Sequence, residues 1–107
     1  MSVKLEVVGY LGKDPFVRKI KDQDVVILSI ASRRGQSRHC DWIQGTVWNE
    51  RLRTFALGQF KKGDKITASG IMGRITIFYS TAGKPQPSLD FFINSLGFVK
   101  HQEEIRV

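Results

Sequence analysis

Two tryptophans stand six residues apart in the stretch DWIQGTVWN, and the chain contains no others. Because side chains on a strand alternate between its faces, Trp42 and Trp48 would share one face with the polar Gln44 and Thr46. Polar neighbours argue against an interior position, and an exposed aromatic ring can stack on nucleic-acid bases, at about 1 to 3 kcal/mol per base. The alternative is that one or both tryptophans pack in the core or in a subunit contact.

Basic residues accompany these aromatic residues. The chain carries 17 Lys and Arg against 10 Asp and Glu, and the resulting formal charge of +7 would attract a polyanion such as nucleic acid. Many small proteins are basic for solubility alone, so charge by itself does not decide the partner. Aromatic candidates for a second contact region are Phe78 and Tyr79. The candidate phosphate contacts are Arg33, Arg34, Arg38, Lys13, Arg18, Arg74 and Lys84.

The sequence predicts no enzyme site. His39 and Cys40 are adjacent, so on a strand they would point to opposite faces and could not easily act as a nucleophile and its base. Neither histidine has a partner at metal-ligand spacing, and no Gly-rich phosphate loop precedes the predicted helix. The single cysteine excludes an intramolecular disulfide and a Cys-based zinc cluster. We therefore expect a binding protein without a cofactor or metal.

Five strands and one helix are predicted to position these residues. A helix of about three turns follows the third strand, because Asn49 can cap it and apolar residues recur at helical spacing up to a stop at Gly63. The segment 12–15, GKDP, has turn chemistry. Alternation and β-branched content predict strands over 3–11, 25–33, about 40–48, 64–79 and 88–99.

This order of elements is typical of the OB-fold, an all-β, five-stranded Greek-key barrel with one helix between strands 3 and 4. Another small α+β sheet with a helix on one face would have the same elements. A chain of 107 residues can bury one core. We therefore expect a single OB-fold domain over 1–100 and a short C-terminal extension over 101–107.

The apolar runs are far shorter than the roughly 20 residues that span a bilayer, and the N-terminus lacks a signal core. We expect no membrane association. The expected location is the cytoplasm, in association with the nucleoid.

The opening GYLGKDPFVRKI closely resembles the G-x-L-G-x-D-P-x-x-R motif of the bacterial single-stranded-DNA-binding protein family. Further similarity runs through VVILSIASRR, DWIQGTVWN and FKKGDKITASG, so the resemblance covers about residues 3–99. It implies an OB-fold that coats single-stranded DNA in replication, recombination and repair, usually as a homotetramer whose protomers pair through the first strand. It also places Trp42 and Trp48 on the family's base-stacking aromatic positions.

The chain departs from the family pattern in three places. The third family aromatic would fall on Ile77, for which Phe78 or Tyr79 could substitute. The second hairpin is shorter than is usual in the family, which reduces the arm available to wrap DNA. The chain also ends at Val107 without the acidic tail through which the family recruits replication and repair proteins. We expect either a reduced relative or a truncated chain, with a shorter or weaker binding path.

The expected partner is single-stranded DNA, bound without strong sequence preference by a dimer or tetramer of this chain. Two alternatives stay open. One is a primosome-type accessory OB module that acts mainly through protein contacts. The other is an RNA-binding OB module, because OB-folds also bind RNA and nothing in the sequence reads a 2′-hydroxyl.

Overall fold

The structure is a computed structural model that describes residues 2–33, 40–79, 82–83 and 85–99. Over these ranges the chain forms six strands and one helix. The elements are β1 (Lys4–Leu11), β2 (Phe16–Ile20), β3 (Gln23–Arg33), β4 (Cys40–Val47), α1 (Glu50–Gln59), β5 (Lys65–Tyr79) and β6 (Pro85–Phe98).

The first two strands act as one interrupted strand of the sheet, because both pair antiparallel with β3. Leu11 at the end of β1 lies opposite Ile30, and Phe16 at the start of β2 lies opposite Ile27. Strand β2 was not predicted. It joins β3 through a two-residue turn in which Lys21 and Asp22 have positive φ angles of 50° and 65°. Positive φ at both central residues is the geometry of a type I′ hairpin turn.

The break between β1 and β2 is the predicted GKDP turn, and it is tied to the loop that follows the helix. Pro15 has no N–H group to donate to a ladder, which favours a break here. The Asp14 carboxylate accepts a hydrogen bond from the backbone N–H of Lys62 at 2.7 Å. The backbone N–H of Gly63 donates to the carbonyl of Leu11 at 2.8 Å. The turn therefore fastens the first strand to the end of the helical segment.

The sheet closes on itself. Strand β1 pairs antiparallel with both β5 and β3, and the remaining neighbours follow the order β5, β6, β4, β3. The pairing of β1 with β3 closes the ring, and the contact between β4 and β6 is parallel, with Ile43 opposite Leu89. If β1 and β2 are counted as one strand, five strands form the barrel and α1 lies between the third and fourth. The predicted all-β OB-fold is confirmed, and the alternative of another small α+β sheet with a helix on one face is excluded.

Apolar side chains from every barrel strand fill the interior, including Val7, Leu28, Val47, Ile66 and Phe91. The helix contributes Ala56 to this core, followed by Phe60 just beyond its end. Asn49 caps the helix as predicted, since its side-chain oxygen accepts the Leu52 N–H at 3.1 Å. The core therefore determines which side of each strand faces outward.

Over the described ranges, no helix has the length and apolar character required to cross a membrane.

Candidate nucleic-acid interface

Strand β4 divides its residues between the barrel interior and the outside. Val47 is fully buried and Ile43 packs against the core. Because strand residues alternate, Trp42, Gln44 and Thr46 lie on the outer side. Trp48 follows directly after the last residue of β4. The structure therefore agrees with the predicted division of this segment into two faces.

The ring of Trp42 lies on the surface and covers the first turn. Its relative exposure is 45%. A Cβ atom built on Gly12 would come within 2.6 Å of the six-membered part of the indole. Only a residue without a side chain leaves the ring room in this position, which links the GKDP turn to the tryptophan. Trp42 is held against the backbone with a large part of its surface open to solvent.

Trp48 is held differently. The side chain is half-buried, and its indole Nε1 is buried without a hydrogen-bond partner among the described residues. Its backbone carbonyl accepts a hydrogen bond from Nε of Arg53 at 3.2 Å, which ties it to the helix. Trp48 thus combines the two alternatives that the sequence left open, since part of it is packed and part is accessible.

The polar residues between the tryptophans do not mark a fully solvated surface. Thr46 is only 7% exposed. Its hydroxyl donates to the carbonyl of Phe91 on β6 at 3.3 Å, so its burial leaves no unpaired hydroxyl. Gln44 is half-buried and lies opposite Asp90 in the parallel ladder. The inference of exposure from polarity is therefore wrong at Thr46.

Aromatic residues that the sequence analysis did not select also lie on the outer side. A row of directly paired residues runs across the sheet, perpendicular to the strands, through four neighbouring strand pairs. Phe92 and Phe16 are the aromatic residues in this row. In order, the row runs Phe16, Ile27, Thr46, Phe92 and Ile71. We call Phe16, Trp42, Trp48 and Phe92, with the surface between them, the aromatic face. The adjacent pair Phe91 and Phe92 gave no alternation signal, so only the barrel core reveals which of them points outward.

Two predicted phosphate contacts meet at one end of the aromatic face. The Lys13 ammonium lies 5.0 Å from the centre of the Phe16 ring, and the Arg18 guanidinium lies 5.5 Å from it. Cations over an aromatic ring are attracted by its negative face. Lys13 also directly follows Gly12, which lies beneath Trp42. The structure thus brings two cations over one aromatic ring, beside the turn that Trp42 covers.

A carboxylate lies near the other end. Burial raises the pKa of Asp90 above its ordinary value, and the positive charge of Arg74 acts in the opposite direction and lowers it. Arg74 itself is exposed. It belongs to an irregular stretch of β5, where the ladder with β6 shifts register between Met72 and Ile75. This bulge positions a predicted phosphate contact beside the aromatic face.

The distal part of β5 presents its exposed side chains to the opposite face. Tyr79 is 72% exposed, and it lies on the same face of β5 as Ile75 and Ile77 because the three residues are spaced by two. Ile75 lies opposite Leu89, which in turn lies opposite the core-packed Ile43. By alternation, Tyr79 and Ile77 continue the core-facing side of the sheet rather than the side of Trp42.

The structure does not describe the side chains of the remaining predicted contacts. Arg34, Arg38 and Lys84 lie outside the described residues. For Arg33 and Phe78 the structure describes the strand but not the side chain. Over the described residues, no group of three or more His, Cys, Asp or Glu could hold a metal ion.

Solved structures with the same architecture include two of one yeast protein and one of a bacterial protein. The mitochondrial single-stranded DNA-binding protein Rim1 of S. cerevisiae matches with a TM-score of 0.72 and 20% sequence identity, covering 94% of this chain and 97% of Rim1. A selenomethionine form of Rim1 gives a TM-score of 0.73. The small single-stranded DNA-binding protein of Streptomyces coelicolor matches with a TM-score of 0.70 and 18% identity, with the same coverage. At this level of identity the likeness establishes the fold.

No curated protein sequence matches the chain. The model of the single-strand binding protein family matches residues 3–98, nearly the whole chain and all of the barrel. The chain therefore belongs to the single-strand binding protein family, a family of binding proteins and not of enzymes.

Proposed function

We propose that the chain binds single-stranded DNA on the aromatic face, by stacking bases on Trp42 and Trp48 and by contacting phosphates with the surrounding cations. The observation that carries this proposal is the position of Trp42, a half-exposed indole held over Gly12 beside Lys13. A ring fixed in advance loses little conformational freedom when a base stacks on it. Stacking tolerates every base, which suits binding without strong sequence preference.

The charges around the aromatic face support a nucleic acid as the ligand. Lys13 and Arg18 lie at one end of this face, and Arg74 lies at the other, close to Asp90. Cations at both ends can contact the phosphates of a strand that crosses this face. Arg33, Arg34, Arg38, Phe78, Tyr79 and Lys84 stay predictions as further contacts. We assign the binding domain to 1–100 and an extension to 101–107.

The cellular role that fits such a protein is the coating of single strands during DNA replication, recombination or repair, in the cytoplasm and at the nucleoid. We infer a homo-oligomer, either a dimer or a tetramer. Val8 and Tyr10 support this inference, because both are about half exposed on the outer side of β1. An exposed apolar stripe on a strand favours contact with a second copy. Light scattering over a range of protein concentrations measures the oligomeric state.

The function is tested with a fluorescently labelled dT oligonucleotide of about 16 nucleotides, the upper end of the site size of one OB-fold. Binding is followed by anisotropy at two salt concentrations, with an rU oligonucleotide of equal length as the comparison. We expect Trp42→Ala to weaken dT binding by about 5- to 150-fold, the effect of losing one base stack. The exposed ring contributes little to the core, so we expect the melting temperature to stay near that of the wild type.

Leu57→Ala is the matched control, because Leu57 is 46% exposed but lies on the helix. We expect this variant to bind dT as the wild type does. Absence of dT binding by the wild type would refute the proposed function. Tighter binding to rU would assign the face to RNA, and equal loss in Trp42→Ala and Leu57→Ala would remove Trp42 from the interface.

A further inference from the structure

Phe92 is an aromatic side chain whose exposure the fold does not explain. It is adjacent to Phe91, which is completely buried in the barrel core, whereas Phe92 is 48% exposed. Alternation along β6 directs it to the outer side, the same side as Trp42.

The surroundings of Phe92 form an open apolar patch. Its partner in the β5 ladder is Ile71, which is 39% exposed, and its partner in the β4 ladder is Thr46. A Cβ atom built on Gly73 would lie 3.2 Å from the edge of the Phe92 ring. Glycine at that position therefore leaves room beside the ring. The approach is less close than that of Gly12 to the Trp42 ring, where the corresponding distance is 2.6 Å.

Strand geometry places Phe92 within reach of a strand of DNA that touches the tryptophans. Phe92 lies opposite Thr46, which is two residues before Trp48 and four residues after Trp42. At about 3.3 Å per residue and about 4.8 Å between strands, Phe92 lies about 8 Å from Trp48 and about 14 Å from Trp42 along the sheet. These spacings allow successive bases of one strand to reach all three rings.

The charges beside this patch also favour a nucleic acid. Arg74 lies in the bulge that follows Ile71 and Met72, close enough to Asp90 to interact with its carboxylate. A cation next to an exposed aromatic ring provides both contacts that a nucleotide needs, one for its phosphate and one for its base. Ile77 offers neither a ring nor the same face of the sheet.

We propose that Phe92 is a third base-stacking side chain of this protein, placed on β6 between Thr46 of β4 and Ile71 of β5. The inference rests on the proposed function, because it extends the same DNA path from β4 across β6 towards β5. Bases would stack on Trp42, Trp48 and Phe92, and Arg74 would contact a phosphate at the β5 end.

Phe92→Leu tests the inference, since leucine keeps an apolar side chain and removes the ring. We expect it to weaken binding of the dT oligonucleotide by about 5- to 150-fold, whereas Phe92→Tyr keeps wild-type affinity. An abasic oligonucleotide of the same length should bind the wild type and Phe92→Leu equally, because it has no bases to stack. The dependence of affinity on salt should also stay unchanged, because no phosphate contact is lost.

Phe98→Leu is the matched control, with a phenylalanine on the same strand that is 40% exposed but packs against Phe55 and Phe60. We expect it to bind dT as the wild type does. A measurement without variants is photocrosslinking of the wild type to an oligonucleotide that contains 5-iododeoxyuridine. Mass spectrometry should then place a crosslink on Phe92.

The outcomes separate the inference from the proposed function. If the wild type does not bind dT, the proposed function fails and the inference with it. If the wild type binds dT but Phe92→Leu binds equally well, the inference is overturned while the proposed function stands. If Phe92→Leu does not fold, the crosslink decides, and its absence from Phe92 overturns the inference.

Discussion

Trp48 shows how a single side chain can serve the fold and a ligand together. Its indole is half-buried, and the buried Nε1–H has no acceptor among the described residues. A buried donor without a partner costs about 1 to 3 kcal/mol. The fold therefore uses the apolar rings of this residue rather than its polar atom.

This leads to a prediction for Trp48→Phe. Phenylalanine loses part of the packed ring, which lowers the free energy of unfolding, but it also removes the unpaired donor, which raises it. We expect the two effects to leave the free energy of unfolding within about 1 kcal/mol of the wild type, as measured by urea unfolding. Trp48→Ala removes all of the packed ring, so we expect a loss of about 2 to 4 kcal/mol. Equal losses in the two variants would show that the whole indole is needed.

Asp90 gives the aromatic face a dependence on pH. Burial raises the pKa of its carboxyl above the ordinary 3.8, although Arg74 opposes the rise. A raised pKa means that the folded state holds the proton to a higher pH than the unfolded chain does. The resulting stabilisation is complete below the unfolded pKa and is lost as the pH rises through the folded pKa.

We therefore expect Asp90→Asn to gain stability relative to the wild type as the pH rises through this window, and to keep the gain at neutral pH. Urea unfolding midpoints below and above the window measure the difference. Removing a carboxylate from beside the phosphate path should also tighten dT binding at neutral pH, by about 1.5- to 5-fold. Arg74→Gln is the complementary variant, because loss of the cation should raise the pKa of Asp90 further. A difference in stability that does not change with pH would contradict this account.

At the scale of elements, the sequence predicted the strands whose hydrophobic pattern reflects the core. It missed β2, which is a strand because it pairs with β3. Apolar and polar residues alternate in β1, β3 and β4, or β-branched residues are dense there, so the sequence pattern was sufficient to predict these strands. In β2 the three central residues, Val17, Arg18 and Lys19, are all exposed, and the segment becomes a strand through its pairing with β3. The turn between β2 and β3 also lacks the Asn and Gly that are common in type I′ turns.

In the interface, too, the sequence did not reveal residues whose position depends on the folded chain. Trp42 and Trp48 were found because tryptophan is rare and because a spacing of six residues puts both side chains on one face of a strand. Phe92 was not, because Phe91 and Phe92 are chemically identical neighbours and only the closed barrel distinguishes them. The meeting of Lys13 and Arg18 over Phe16 depends on the same unpredicted strand, β2.

The turn between β2 and β3 provides a test of local strain. Lys21 and Asp22 both have positive φ, a region that costs an ordinary L-residue about 1 to 2 kcal/mol and that suits Asn and Gly. We expect the double variant Lys21→Asn/Asp22→Gly to raise the free energy of unfolding by about 1 kcal/mol, measured by urea unfolding. Gln23→Asn at the strand end is the control and should bring no gain. A destabilised double variant would show that the turn is held by contacts of its side chains.

At the scale of the whole molecule, the question is whether the net charge of +7 or its placement drives binding. Each phosphate neutralised on a single strand contributes about −0.7 to the slope of log affinity against log salt. Neighbouring residues on β2 separate the two possibilities. Arg18 lies over the Phe16 ring on the aromatic face, whereas Lys19 alternates to the other face and pairs with Asp24 at 3.6 Å.

We expect Arg18→Gln to reduce the magnitude of the salt slope by about 0.7, and Lys19→Gln to leave it unchanged, although both remove one positive charge. Trp42→Ala should weaken binding at every salt concentration without changing the slope, because stacking releases no counterions. Anisotropy titrations with the dT oligonucleotide over a series of salt concentrations measure all three slopes. If Arg18→Gln and Lys19→Gln reduce the slope equally, DNA responds to the total charge and the cations of the aromatic face have no special position.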